Sequence, residues 1–219
     1  MSEPVAQFFA SLFETLAAMD WLEFSGLVSG LVCVWLLIRQ NIWTFPIGVI
    51  YSVVSVVVFF RARLYADVLL SAYYVLMNAY GWYYWLYGGA RTARDELAVT
   101  RTPRLVGLWL ALISAASIAA MGWYLTTYTN AAFPYWDSAT TCMSFAAMWM
   151  TARKYIENWI VWLVVDVIAT AIYYLKDIEF YAILYGVYLG MALMGWRAWQ
   201  LTMIKQAQSR PRPVSASSV

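Results

Sequence analysis

Seven long apolar runs constrain the fold of this chain more than any other feature of its sequence. Each has close to the ~20 residues that an α-helix needs to cross the ~30 Å hydrocarbon layer of a bilayer. The runs cover residues 21–38, 43–60, 65–87, 105–125, 136–151, 156–175 and 180–201. Because they lack the two-residue alternation of a barrel strand, helices are the structure that satisfies their backbone in lipid. The pattern predicts an all-α, polytopic membrane protein with seven transmembrane helices.

The composition supports lipid as the solvent for much of this chain. Of its 219 residues, 63% are hydrophobic and 12% are charged, whereas soluble domains have about 45–50% apolar and about 25% charged residues. The chain has no His, which excludes bis-histidine haem carriers, His-ligated zinc sites and His-dependent triads. Cys33 and Cys142 lie inside apolar runs, where a thiol behaves as a small hydrophobic group. We therefore expect no cofactor and no metal.

The two ends of the chain differ from the apolar runs. Between positions 5 and 16, apolar residues recur at three- and four-residue spacing, which predicts a short amphipathic helix along the membrane surface over residues 1–20. This segment has no Lys or Arg for the n-region of a signal peptide. Residues 206–219 include an Arg-Pro-Arg-Pro stretch and several Ser residues, so we expect a disordered tail.

The basic residues predict the orientation of the chain in the membrane. Eleven of the 14 Lys and Arg residues fall on the side of the C-terminus and three fall on the opposite side. Positive charge favours the cytoplasmic face, so we expect the N-terminus outside and the C-terminus in the cytoplasm. The basic residues are dispersed over short loops and form no single patch, which argues against a nucleic-acid partner.

The third and seventh runs end in the same pattern, Tyr-x6-Gly-Trp-x2-Trp, shifted by 114 residues from Tyr74 to Tyr188. A second match, between Asn41-x-Trp43 and Asn158-Trp159, has nearly the same shift. The pattern predicts two parallel three-helix repeats, residues 21–87 and 136–201, joined by a loop and linker helix over residues 88–125. Some transporters have this plan and hold their substrate between the repeats near mid-bilayer. Two chance occurrences of an interfacial aromatic belt are the alternative.

Asp166 lies in the middle of the sixth run, where an ionised carboxylate costs about 2.5 kcal/mol or more on insertion scales. Trp159 and Trp162 precede it by seven and four residues, so the three side chains share one face of a helix. Two indole rings and a carboxylate are a suitable site for an organic cation. Each residue also has a structural explanation, since a Trp can simply pack and a protonated acid can bond to another helix.

Polar and aromatic side chains at a similar depth complete the candidate site. They can hydrogen-bond the hydroxyl or amide groups of a ligand, although an Asn can equally bridge two helices. The predicted substrate-binding residues are Trp159, Trp162, Asp166, Asn78, Tyr74, Tyr185 and Tyr188.

Three longer motifs occur in the chain. They are Gln40-Asn41-x-Trp43-x2-Pro46-x-Gly48, Asn78-x-Tyr80-Gly81-Trp82-x2-Trp85 and Arg153-Lys154-x2-Glu157-Asn158-Trp159-x2-Trp162-x3-Asp166. Over about residues 20 to 200, these motifs resemble the PnuC family of bacterial vitamin transporters. The resemblance implies a seven-helix fold like that of the SWEET sugar transporters and uptake of nicotinamide riboside by facilitated diffusion across the bacterial inner membrane. It also implies trapping of the substrate by a separate cytoplasmic kinase, and a pocket lined by Trp159, Trp162, Asp166 and Asn78.

Two positions depart from the pattern of nicotinamide riboside carriers. The sixth-span motif of those carriers ends in Asn where this chain has Asp166, and Met148 replaces an amide in the fifth span. Nicotinamide riboside and thiamine both carry a cationic ring, so both remain candidate substrates, whereas an uncharged flavin would gain less from a carboxylate. Assembly into a homo-oligomer is left open.

Other function classes fit the sequence less well. A seven-helix photoreceptor or signalling receptor shares the span count, but a retinal Schiff base needs a Lys inside the last helix, and Lys205 lies at its end. An intramembrane enzyme would need a second acid or a nucleophile–base pair beside Asp166. We therefore expect no catalytic residues.

Overall fold

The computed structural model describes residues 14, 16–19, 21–61, 63, 65–92 and 96–209. This part of the chain contains seven long helices. They are α1 (Trp21–Ile38), α2 (Thr44–Arg61), α3 (Tyr65–Tyr87), α4 (Arg104–Tyr128), α5 (Pro134–Ala152), α6 (Asn158–Leu175) and α7 (Glu179–Gln208). Among the described helices, α2, α4 and α6 are by themselves long and apolar enough to cross a membrane. The all-helical prediction is confirmed.

Helix boundaries agree with the apolar runs except at polar ends. The α4 helix continues past the apolar run to Tyr128, and its polar residues Thr126 and Thr127 donate their hydroxyl protons to the carbonyls four residues earlier. The α7 helix continues to Gln208, so the expectation of disorder is wrong for residues 206–208, which are good helix formers. The rest of the tail, from residue 210, and most of the expected N-terminal helix lie outside the described residues.

The helices pack as two units of three, α1–α3 and α5–α7, with α4 against α5. Within the units, α2 packs on α1 and α3, and α6 packs on α5 and α7. Between the units, α1 packs on α7 and α3 packs on α5. The same order of neighbours therefore occurs in both units.

Four helix ends share one unusual backbone conformation. Gln40 and Lys154 have φ values of 55° and 58° after α1 and α5, and Arg63 and Asp177 have 59° and 56° after α2 and α6. Left-handed residues of this kind commonly end helices, although side chains other than Gly enter the region at some cost. Both pairs are separated by 114 residues, the spacing of the sequence match.

Four aromatic rings close the bundle where α1 and α3 end and α6 begins. This aromatic floor consists of Phe45, Trp85, Trp159 and Trp199. Trp85 packs edge-on against Phe45 at 4.9 Å between centroids, and Trp199 packs edge-on against Trp159 at 5.5 Å. The floor therefore contains one such pair from each unit.

Two hydrogen bonds join the units at the floor. Trp85 Nε1 donates to the carbonyl of Thr151 at 3.3 Å, and Trp199 Nε1 donates to the carbonyl of Leu37 at 3.1 Å. Both donors and both acceptors are separated by 114 residues. Each unit thus supplies one indole N–H to the other.

The loop before α4 packs beneath this floor. Leu97 and Val99 are each 4% exposed and belong to the same hydrophobic cluster as the floor. Lys154 donates from Nζ to the Leu97 carbonyl at 2.8 Å and lies 4.4 Å from the centroid of the Trp85 ring. Burial lowers the pKa of Lys154 to about 8, while the Glu96 carboxylate acts in the opposite direction.

Candidate functional site

A cavity of about 320 Å³ lies above the aromatic floor, between the two units. We call it the inner chamber. It has walls from α1, α2, α3, α5, α6 and α7, whereas α4 contributes none of its lining residues. Its volume lies at the lower end of the range for small-molecule pockets, about 300–1,000 Å³.

All seven residues of the predicted site line the inner chamber. Asp166 and Asn78 are 5% and 8% exposed, so both polar groups are largely removed from bulk solvent. The structure therefore brings together side chains from α3, α6 and α7 that the sequence separates by up to 114 residues. The ligand-binding roles of these seven residues remain predictions.

Asp166 is the only acidic residue among those that line the inner chamber. Its side chain is held at the ninth position of the 18-residue helix α6, far from either helix end. Within the described part of the chain, no Lys or Arg forms an ion pair with it. A buried carboxylate without a cation favours a ligand that brings one.

The two indole rings of α6 occupy different environments. Trp162 is partly exposed to the chamber, and its Nε1 donates to Thr151 Oγ1 at 3.2 Å, which fixes the ring orientation. Trp159 is 2% exposed and belongs mainly to the floor. Trp159 Nε1 is buried and has no hydrogen-bond partner among the described residues. Trp162 is therefore the more accessible surface for a cationic ring.

Two glycines make room for the side chains of this region. A Cβ on Gly195 would lie 2.4 Å from the Trp159 ring, and a Cβ on Gly48 would lie 2.4 Å from Asn78 Oδ1. Asn78 Nδ2 donates to the Tyr74 carbonyl of its own helix at 2.8 Å. The amide therefore does not bridge two helices through this bond, and its oxygen lies against the small surface of Gly48.

Tyrosine rings form the wall that α7 contributes. Tyr185 stacks on Tyr173 of α6 at 5.3 Å between centroids, and Tyr188 meets Tyr185 at 6.0 Å in an edge-on arrangement. The Tyr188 hydroxyl approaches α1 at Gly30, where a Cβ would lie 2.6 Å away. These rings extend the aromatic lining from the floor toward the opposite end of the bundle.

The sequence interpretation placed Tyr74 and Asn78 of α3 in the site but missed the contribution of α1 and α2 to the chamber. Nine pairs of lining residues have the 114-residue spacing. The pairs are Gly30/Ser144, Val34/Met148, Leu37/Thr151, Phe45/Trp159, Gly48/Trp162, Tyr51/Val165, Ser52/Asp166, Tyr74/Tyr188 and Asn78/Ala192. Applying the spacing of Tyr74 and Tyr188 to the other site residues would have found Gly48 and Ser52, the counterparts of Trp162 and Asp166.

The described residues offer no evident place for a metal. Nowhere within them do three His, Cys, Asp or Glu side chains come together as ligands. The chemistry of the inner chamber is that of a binding site, with one carboxylate, aromatic faces and hydroxyl groups.

Comparison with known proteins identifies the family. The profile of the nicotinamide mononucleotide transporter family matches residues 20–201. The chain is 29% identical over 212 residues to the nicotinamide riboside transporter PnuC of Escherichia coli strain K12, covering 83% of this chain and 85% of that protein. It is 26% identical over 197 residues to the riboflavin/roseoflavin transporter RibM of Streptomyces davaonensis, covering 87% and 89%.

A solved structure supports the same fold. The crystal structure of a vitamin B3 transporter PnuC matches with a TM-score of 0.66 over 94% of each chain, at 19% identity. At this identity the likeness concerns the fold alone. Together with the family profile, which spans most of the sequence, these matches show that the chain belongs to the PnuC family of membrane transporters.

Proposed function

We propose that this protein carries nicotinamide riboside across the bacterial inner membrane by facilitated diffusion. The observation that carries the proposal is Asp166, a buried carboxylate on the wall of the inner chamber with Trp162 one helical turn away. A nicotinamide ring in the riboside is flat and positively charged, so it gains from both the acid and the indole face. Several relatives are named as nicotinamide riboside transporters.

The proposed architecture is two parallel three-helix repeats, α1–α3 and α5–α7, joined by α4 and crossing the membrane seven times. The 114-residue spacing of the helix-ending turns and of the floor hydrogen bonds supports it. The excess of basic residues on the C-terminal side supports an outside N-terminus and a cytoplasmic C-terminus. The aromatic floor would then separate the inner chamber from the cytoplasm.

Transport follows from rocking one unit against the other around the inner chamber. Release to the cytoplasm requires the two Trp hydrogen bonds of the floor to break, because each joins one unit to the other. The inner chamber offers one acid and no chain of acids for a proton or sodium relay. The substrate therefore moves down its own gradient, and phosphorylation by a cytoplasmic kinase prevents its return.

Thiamine is the second candidate substrate, because it also carries a flat cationic ring. A carboxylate attracts either cationic ring, whereas riboflavin is uncharged and gains less. A ligand that binds only the folded state raises its melting temperature. Melting the purified protein with nicotinamide riboside, thiamine or riboflavin therefore ranks the three, and we expect nicotinamide riboside to give the largest increase.

Uptake into proteoliposomes tests the mechanism. Without an internal kinase, radiolabelled nicotinamide riboside should equilibrate at equal inside and outside concentrations, and with a kinase and ATP inside it should accumulate. Accumulation above the outside concentration without the kinase would contradict facilitated diffusion. Empty liposomes measure the leak.

A further inference from the structure

A second cavity of about 420 Å³ adjoins the inner chamber on the side away from the aromatic floor. We call it the outer chamber. It lies between the end of α2, the start of α3, the start of α5 and the end of α6. The two cavities share the wall formed by Tyr51, Ser52, Tyr74, Ser144, Val165 and Tyr185. The two cavities are therefore neighbours, separated by these six side chains.

Four Ser and Thr hydroxyls of the outer chamber already donate their protons to carbonyl groups. The bonds run from Ser52 to Gly48 at 2.7 Å, from Ser55 to Tyr51 at 3.0 Å, and from Thr140 and Thr141 to Asp137 at 3.0 and 2.9 Å. A hydroxyl has one proton and two lone pairs. While these bonds are kept, the four oxygens have only lone pairs to offer, so we expect a ligand beside them to donate.

An ion pair contributes the charged groups of the outer chamber. Lys176 Nζ lies 3.7 Å from Asp137 Oδ1, and the two side chains are 30% and 36% exposed. Because Asp137 compensates the Lys176 charge, the lysine attracts an anion less than an unpaired one would. The wall thus favours a ligand rich in hydroxyl donors, which describes a polyol such as a ribosyl or ribityl group.

The two chambers differ in the chemical groups that they present, and the difference matches the two parts of a molecule that joins a ring to a sugar. The inner chamber presents Trp162, Tyr188 and a carboxylate, which suit a flat cationic ring. The outer chamber presents hydroxyl oxygens, which suit a sugar. We propose that the outer chamber is a second binding site, which holds the hydroxyl-bearing part of the transported molecule before its ring reaches the inner chamber. The inference rests on the proposed function, because it takes the cargo to be such a conjugate.

Transport kinetics test the hydroxyl contacts. Thr140→Val with Thr141→Val removes two acceptors and keeps the side-chain shape, so the KM for nicotinamide riboside uptake should rise about 5- to 10-fold with little change in maximal rate. Thr127→Val is the matched control, because Thr127 makes the same kind of bond to Trp123 on α4, which lines neither chamber. An unchanged KM in the double variant would contradict the outer site.

Thiol protection separates the two chambers in one experiment. In the Cys142→Ser protein, Cys33 is the single thiol and lines the inner chamber. In a protein with Cys33→Ser, Cys142→Ser and Thr141→Cys, the single thiol lies in the outer chamber. Nicotinamide riboside should slow the reaction of both thiols with a water-soluble methanethiosulfonate reagent. With Asp166→Ala added, protection should persist at Thr141→Cys and be lost at Cys33.

The outcomes distinguish the two proposals. Protection of Cys33 without protection of Thr141→Cys would overturn the outer site and leave the proposed function intact. Protection of neither thiol would overturn both. Failure of Thr141→Cys to react at all would also contradict the outer site, because a first binding chamber has to be reachable from water.

Discussion

The two halves of the inner chamber share backbone positions and differ in side chains. Tyr74 and Tyr188 match across the 114-residue spacing, and the floor residues Trp85 and Trp199 make the same hydrogen bond to the opposite unit. By contrast, the second unit has Trp162 and Asp166 where the first has Gly48 and Ser52.

The difference distinguishes positions that hold the helices together from positions of the proposed ligand site. The turns that end helices have the same left-handed backbone conformation in both halves, although their side chains differ, and Trp85 and Trp199 make equivalent hydrogen bonds. The positions proposed for the cationic ring differ, since the second half has Trp162 and Asp166 where the first has Gly48 and Ser52. The side chains of the first unit are small at these two positions, and all four residues line the same inner chamber.

Removing the acid should affect ligand binding more than any change to its counterpart. Asp166→Ala leaves a bound cation without a partner, and we expect the dissociation constant of nicotinamide riboside to rise about 100-fold. Ser52→Ala, at the related position, should change it by no more than about threefold, since the lost bond is internal to α2. Calorimetric titration of both variants checks this, and equal losses would contradict the asymmetry.

Adding a methyl group at Gly48 of the first unit should have a smaller effect than Asp166→Ala. Gly48→Ala forces a methyl group against Asn78, whose amide is held by the Tyr74 carbonyl. Overpacking of this kind costs about 1–3 kcal/mol of folding free energy unless a side chain moves. Asn78 belongs to the proposed site, so its displacement should lower uptake efficiency about 10-fold, which corresponds to about 1.4 kcal/mol of binding free energy. Gly190→Ala is the control, because a Cβ there meets nothing within 4 Å. Normal uptake by Gly48→Ala would show that the volume beside Gly48 is not used.

Removing the indole donor from either half of the aromatic floor should lower the melting temperature by the same amount. Trp85→Phe and Trp199→Phe each remove one indole donor and leave a carbonyl of the other unit without it. Each loss is worth about 1 kcal/mol, or about 2–4 °C in melting temperature for a chain of this size. Trp109→Phe on the exposed face of α4 should have almost no effect, since Trp109 is 62% exposed. Very different losses at positions 85 and 199 would contradict the equivalence of the halves.

The smallest effect concerns Lys154, whose counterpart in the first unit is Gln40. Between a folded pKa of about 8 and the ordinary value of 10.5, the unfolded chain binds more protons than the folded one. The free energy of unfolding should therefore rise with pH across this window. Melting curves at several pH values should show a steeper rise for the wild type than for Lys154→Met. If the melting temperatures of the two proteins changed equally with pH, the pKa of Lys154 would not differ between the folded and unfolded chains.

Much of this architecture could be predicted from hydrophobic run length, because a bilayer leaves the backbone few alternatives to a helix. The face shared by Trp159, Trp162 and Asp166 followed from helical periodicity alone. The different burial of the two indole rings could not be predicted from periodicity. Trp159 is buried against Gly195 of α7, and the sequence of α6 alone does not show that contact.

Two other features could not be predicted from the apolar runs. Gly48 ends a motif of the second apolar run and Ser52 belongs to none, and only their spacing from Trp162 and Asp166 identifies them as the counterparts of those residues. Residues 97–99 have the composition of an ordinary loop, yet they are buried. Lys154 Nζ donates to the Leu97 carbonyl, and the next residue, Thr100, exchanges backbone hydrogen bonds with Lys154 and Ile156. Contacts between segments far apart in sequence have no local pattern.

The charge dependence of binding tests the central claim most directly. Nicotinamide riboside and its reduced, uncharged dihydro form have nearly the same shape, so the difference in their dissociation constants isolates the contribution of the cation. In the wild type, nicotinamide riboside should bind more tightly than the reduced form, and in Asp166→Ala this preference should disappear. Equal binding of the two forms by the wild type, or an undiminished preference in Asp166→Ala, would contradict a cation held by Asp166.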